Sequence, residues 1–205
     1  MKIKVPFYKS KKDTDCGLLA LKMALAYLGE KYICQKIAKE IRQLDTGLVW
    51  SVGVARASKM LGFPTKFIST TNFSHEESDI DYYKKYSDDR GKIILKELFE
   101  EIKKIGVEVQ ERDMPIDELL SYVSENSIPI VLVNWYVISG KEGFSGHFLP
   151  ISGYDEENIY VHNPGLASAM PYLPIKRNVF LKAWESKGTD KDTIIIYRKI
   201  LDSLV

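Results

Sequence analysis

With 205 residues, 45% of them apolar and 11% aromatic, the chain can bury a sizeable core, and it suits one domain, or one bilobed domain, over 1–205. Its 29 Lys and Arg against 28 Asp and Glu leave a net charge of +1, which excludes the basic footprint of a non-specific nucleic-acid binder. The opening MKIKVPFYKSKK carries positive charge with no apolar run behind it, and the apolar run over 128–138 is too short for a membrane span. The expectation is a cytoplasmic protein with no nucleic-acid and no membrane partner.

In chain order, the first half reads as helices. Over 16–28 nearly every position is apolar (Leu18, Leu19, Leu21, Met23, Leu25, Tyr27) and only Lys22 is charged, which predicts a helix covered on most sides. Asp15 is placed to cap it and Gly29 to end it in a left-handed turn. A second helix over 33–44 carries one stripe (Ile33, Ile37, Ala38, Ile41, Leu44), and a third over 51–61 stops at Gly62, before Pro64 and a strand over 65–70. Residues 71–90 turn polar and acidic around Tyr82, Tyr83 and Tyr86, and read as an ordered excursion or lid. Further helices are expected over 92–105 and 115–126, the latter with Pro115 near its first turn.

Strands dominate the second half. Residues 107–112 and 128–137 fit strands; 146–154 and 158–162 flank Asp155-Glu156-Glu157 as a hairpin; a helix over 177–186 precedes a last strand over 193–199. Helices first and antiparallel strands later give an α+β fold, the helical N-terminal part packed on an antiparallel sheet with a cleft between them.

Cys16 stands where a helix N-terminus presents unpaired N–H groups and positive partial charge, a position that favours thiolate, and Gly17 leaves room for a substrate backbone. Cys34 lacks that context and reads as a small buried hydrophobe. Of the three histidines, His75 lies in the acidic stretch, His147 begins an apolar strand after Gly146, and His162 neighbours Asn163 on the next strand. Side chains alternate along a strand, so at most one of His162 and Asn163 shares a face with His147. Asn163, at the strand end before Pro164, can accept an imidazole N–H and fix its tautomer. Cys, His and Asn in this arrangement suit nucleophilic acyl chemistry. Trp50, Asn134 and Trp135 are wall candidates, or core packing, and Tyr83 belongs to a candidate specificity loop. No GxxxxGK[ST], GxGxxG, HExxH or CxxC motif occurs, so no metal site is expected.

DCGLLALKMALAYLG, TGLVWSVGVARASKMLGF, GHFLPISGYD and IYVHNPG together resemble the papain-like C39-type peptidase fold, and within it the guanylyl cyclase domain-containing family. The resemblance extends through YYKKYSDD and WESKGTDKDTIIIY, from about Val5 to Arg198. It implies Cys16 as nucleophile, His147 as base and Asn163 as the orienting residue, acting without cofactor on an amide, ester or peptide bond of a peptide or small molecule. Where such enzymes place an oxyanion-binding Gln, this chain has Ser10, so the hole would rest on the Cys16 N–H with Ser10 or a lysine. The family name implies an alternative, conversion of GTP to cyclic GMP with Mg²⁺ or Mn²⁺, and a non-catalytic binding protein on the same fold is the third reading.

Overall fold

The computed structural model describes residues 1–12, 14–71, 80–87, 89–165 and 168–199. Three helices come first: α1 (Cys16–Tyr27), α2 (Cys34–Ile41) and α3 (Ser51–Met60). Strand β1 (Thr65–Ser69) follows, then α4 (Asp81–Tyr86), α5 (Asp89–Lys104), β2 (Glu108–Glu111) and α6 (Ile116–Ser121). The remainder runs β3 (Ser127–Asn134), α7 (Trp135–Ser139), β4 (Gly146–Tyr154), β5 (Asn158–Asn163), β6 (Met170–Lys176), α8 (Arg177–Trp184) and β7 (Thr193–Tyr197).

The seven strands form one mixed sheet in the order β2-β1-β7-β3-β4-β5-β6. Only β1 and β2 pair in parallel; every other neighbouring pair is antiparallel. Every residue of β3, SIPIVLVN, is buried, because α1 packs on it together with β4 and α8 packs on it together with β5 and β6. Helix α3 lies against β1 and β7. Among the described residues no helix is long and apolar enough to cross a membrane.

Helix α1 buries Leu18 to Leu21 and Met23 to Leu25, as its unbroken apolar run predicts. Gly29 follows it with φ +107°, a left-handed turn that costs glycine little. Asp15 does stand at the N-cap, but with ψ 4° it is not in the extended conformation that aims a capping side chain at the first turn, and it makes no cap bond.

Several elements depart from the sequence expectation: α4 forms inside the stretch read as an excursion, α6 ends at Ser121, and two departures shape the sheet. The strand predicted over 128–137 stops at Asn134, whose buried amide turns the chain into α7: Oδ1 accepts the N–H groups of Tyr136 and Ser145, both at 3.1 Å, and Nδ2 donates to the Gly143 carbonyl at 3.0 Å. Strand β6, with Pro171 and Pro174, was not expected. It occupies the sheet edge, where a missing N–H costs no ladder bond.

The β4–β5 hairpin turns on Asp155, whose Oδ1 accepts the N–H groups of Glu157 at 2.9 Å and Asn158 at 2.7 Å. With the turn end closed in this register, the strands' other ends lie side by side, carrying Gly146 and His147 on β4 and Asn163 on β5. The N-terminal segment is tied to this region by Ile3 N–H to Ser152 O (2.9 Å), Ser10 N–H to Pro164 O (2.9 Å) and Tyr172 Oη to Ile3 O (3.1 Å).

Candidate active site

Cys16, half-buried, opens α1, and α1 packs on β4, so its first residue meets the end of that strand where His147 sits. Asn163 is fully enclosed at the end of β5, with Oδ1 2.9 Å from His147 Nε2. The amide cannot be turned round. Its Nδ2 donates to the Ser168 carbonyl at 2.8 Å, an atom that only accepts, so the oxygen must face the ring and Nε2 must carry the proton. Nδ1 is thereby left for Cys16. Gly165 N–H donates to the same Oδ1 at 3.0 Å and holds the amide further. The Trp135 ring packs on the imidazole at 5.0 Å between centroids and 52° of tilt, leaving it little room to swing.

Burial is the largest influence on the Cys16 thiol and acts to push it up. The His147 charge, a hydrogen bond from that ring, and the N–H groups of Phe148 and Gly17 together outweigh it, and the thiol is held below its ordinary value. The imidazole mirrors this. Burial would lower it, but the Cys16 charge, the bond to Cys16 and the bond to Asn163 raise it above the ordinary value. The two shifts favour a thiolate–imidazolium pair in which each charge is the chief compensation for burying the other.

A cavity of about 150 Å³ opens beside this pair. Cys16, Ser145, Gly146, His147 and Phe148 line it with Thr14, Gly47, Trp50, Ser51, Leu132, Asp192 and the α4 tyrosines Tyr82, Tyr83 and Tyr86. Tyr82 titrates above its ordinary range through burial and then through the charge of Cys16, and its hydroxyl lies 3.5 Å from the Gly146 carbonyl. Trp50 is 6% exposed; it stacks on Tyr83 at 5.6 Å and donates its indole N–H to the Gly91 carbonyl, so it both packs and walls the cavity. Tyr83, placed by sequence in an excursion, is buried and bonds Gly188 O at 2.7 Å.

The other expected site residues are placed differently. Asn134 does not line the cavity but holds the 143–146 loop, and Trp135 reaches the site only through the His147 ring. Gly17 faces away from any substrate: a Cβ there would meet Val49 Cγ1 at 2.9 Å and Phe148 Cδ2 at 3.0 Å, so the glycine serves close packing of α1 instead of backbone approach by a ligand. Ser10 is buried and its hydroxyl donates to the Lys12 carbonyl, which commits the donor an oxyanion would need. The Cys16 N–H remains as the donor, since the first N–H groups of a helix have no intrahelical acceptor.

His162, fully enclosed, donates from Nε2 to Val5 O at 2.9 Å and accepts Tyr172 N–H on Nδ1 at 3.1 Å, which fixes it neutral as a structural residue. Cys34 lies 3.5 Å from Lys22 Nζ, and His75 lies outside the described residues. Thr14, Ser51 and Asp192 were not singled out by the sequence: Thr14 and Asp192 are common polar residues in polar stretches, Ser51 is a lone hydroxyl in an apolar one, and only the fold brings them to the cavity. Among the described residues, no three His, Cys, Asp or Glu side chains are grouped to hold a metal ion.

Residues 5–196 match the family model described as guanylylate cyclase. The fold is shared with solved C39 peptidase domains. The peptidase domain of Streptococcus ComA, a bi-functional ABC transporter involved in quorum sensing, superposes with a TM-score of 0.55 at 14% identity, over 96% of this chain and 100% of that one. A double-glycine-motif protease from an AMS/PCAT transporter, in complex with its leader peptide, gives 0.55 at 16% identity, over 97% and 94%. A C39-like chain from Bacillus anthracis gives 0.59 at 15% identity, over 98% and 100%. The architecture is therefore α+β of the papain-like C39 type.

Proposed function

The chain belongs to the guanylylate cyclase family, and from its cavity we propose that it is a cysteine-dependent hydrolase or acyl transferase acting on an amide, ester or peptide bond. The observation that carries this reading is the approach of His147 to both Cys16 and a rigidly held Asn163 at the mouth of a cavity the size of one side chain. The thiolate attacks the carbonyl carbon and the C–O π pair moves to oxygen, where the Cys16 N–H stabilises it. On collapse the imidazolium gives its proton to the departing amine or alkoxide, leaving an acyl-enzyme. His147, now neutral, takes a proton from water or an acceptor amine, which attacks the thioester and frees the thiolate. The leader peptide bound by the AMS/PCAT protease makes an extended peptide the first substrate class to try.

The test is a panel of peptides and activated esters read by intact-mass spectrometry for the acyl-enzyme. Cys16→Ser should lose turnover by about 10⁴-fold or more, and Asn163→Ala by about a hundredfold, since it positions the ring without reacting. The family description favours a second reading, cyclisation of GTP, with the contrary forecast that activity needs Mg²⁺ or Mn²⁺ and survives Cys16→Ser. Turnover that persists in Cys16→Ser overturns the thiol reading. On the same reading, the stretch 71–90, of which 72–79 and 88 lie outside the described residues, supplies the specificity loop through Tyr82, Tyr83 and Tyr86, and 1–205 works as one unit.

A further inference from the structure

The cavity holds a carboxylate that the acyl chemistry does not use. Asp192, the residue before β7, is 4% exposed and lines the same cavity as Cys16. Its main chain is fixed, the N–H donating to Thr189 O at 2.9 Å and the carbonyl accepting Leu132 N–H at 3.0 Å. Ser51 and Ser69 hydroxyls face the carboxyl, yet Oδ1 accepts no hydrogen bond among the described residues. A buried acceptor left open is costly and calls for a partner.

The lining says what that partner is. Among the described residues, apart from His147, whose charge is matched by Cys16, no basic side chain lines the cavity, while Trp50, Tyr82, Tyr83 and Tyr86 do. Aromatic walls with a carboxylate among them suit a desolvated cation, which gains from both. The space of about 150 Å³ holds one side chain.

We propose that Asp192 is the specificity residue of this cavity, receiving the ammonium or guanidinium of a basic side chain on one of the two residues at the acyl side of the bond that Cys16 attacks. The inference rests on the thiol reading above and names its substrate class, a Lys- or Arg-containing peptide. Burial raises this carboxyl to about 7, with Asp190 adding to the effect; an entering cation favours its ionised form and supplies the missing partner.

Acetyl-dipeptidyl chloromethyl ketones carrying lysine or its uncharged isostere norleucine, at either residue, test this through alkylation of Cys16, with iodoacetamide as the control reagent. In the native protein one lysine reagent should react about 10- to 100-fold faster than its norleucine counterpart, the range of a charged hydrogen bond. Asp192→Asn should bring that ratio to about one, with each rate taken relative to iodoacetamide labelling of Cys16 in the same protein. Equal lysine and norleucine rates in the native protein, a comparison needing no variant, overturn the inference, as does a lysine preference that persists in Asp192→Asn. Failure of iodoacetamide to label Cys16 at all is a different result: it sinks the thiol reading, and this inference with it.

Discussion

Asp192→Asn also has a thermodynamic signature that needs no substrate. Burial without a counter-cation raises the carboxyl from 3.8 to about 7, despite the hydroxyls of Ser51 and Ser69. An acid whose folded pKa is raised binds its proton more tightly in the native state. Its stabilising contribution is complete below pH 3.8, drains away as pH climbs, and is gone above about 7. A shift of about three units corresponds to about 4 kcal/mol, a large fraction of the stability of a domain of this size. Asparagine cannot ionise and forfeits nothing. Urea unfolding of both proteins, followed by tryptophan fluorescence from pH 4 to 8, isolates the effect, because every other titrating group is common to both and cancels in the difference. Stability of the native protein relative to the variant should fall by about 4 kcal/mol across this window, leaving the variant the more stable near pH 8. Curves that stay parallel within about 1 kcal/mol would falsify the argument, since they would mean that the folded protein keeps Asp192 ionised at no cost.

Three further outcomes follow from the geometry. Iodoacetamide labelling of Cys16 against pH should show a midpoint below the ordinary thiol value, and His147→Ala should move it upward, because burial is then unopposed by the ring's charge; coincident midpoints in the two proteins count against the ion pair. Asn134→Ala strands the N–H groups of Tyr136 and Ser145 and should cost about 2–4 kcal/mol in urea unfolding; a loss under about 1 kcal/mol would show that water replaces the amide. Gly17→Ala drives a methyl into Val49 and Phe148 and should cost about 1–3 kcal/mol, with slower Cys16 labelling as Phe148 shifts; unchanged stability would return the glycine to a ligand-facing role.

How much of this was legible beforehand depends on whether a residue's role is set by its own segment or by a distant one. The apolar run of α1 and the turn residues of the β4–β5 hairpin are local signals, and they place Cys16, His147 and Asn163 at element ends from composition and spacing alone. Asn134 is ambiguous in sequence: an amide inside an apolar run reads as a buried polar residue in a strand, and only the Gly143–Ser145 loop reveals a cap. The prolines of β6 conceal a strand because their tolerance depends on edge position, which is a property of the whole sheet. Asp192 sits in GTDKD, a stretch that looks like an exposed turn. Its burial results from Ser51, Ser69 and Leu132 arriving from three other elements.

The place of β7 has a consequence for biosynthesis. The last of the described strands lies between β1 and β3, inside the sheet and not at its edge. Until Thr193–Tyr197 leaves the ribosome, β1 and β3 each show an unpaired edge, the two halves of the sheet are not joined, and Asp192 has not arrived beneath the cavity. Pairings this distant in sequence form slowly, and open strand edges invite association with other chains. A nascent polypeptide of this design therefore carries a finished nucleophile helix long before it has a finished pocket, and its safest interval is a short one between the emergence of β3 and the insertion of β7.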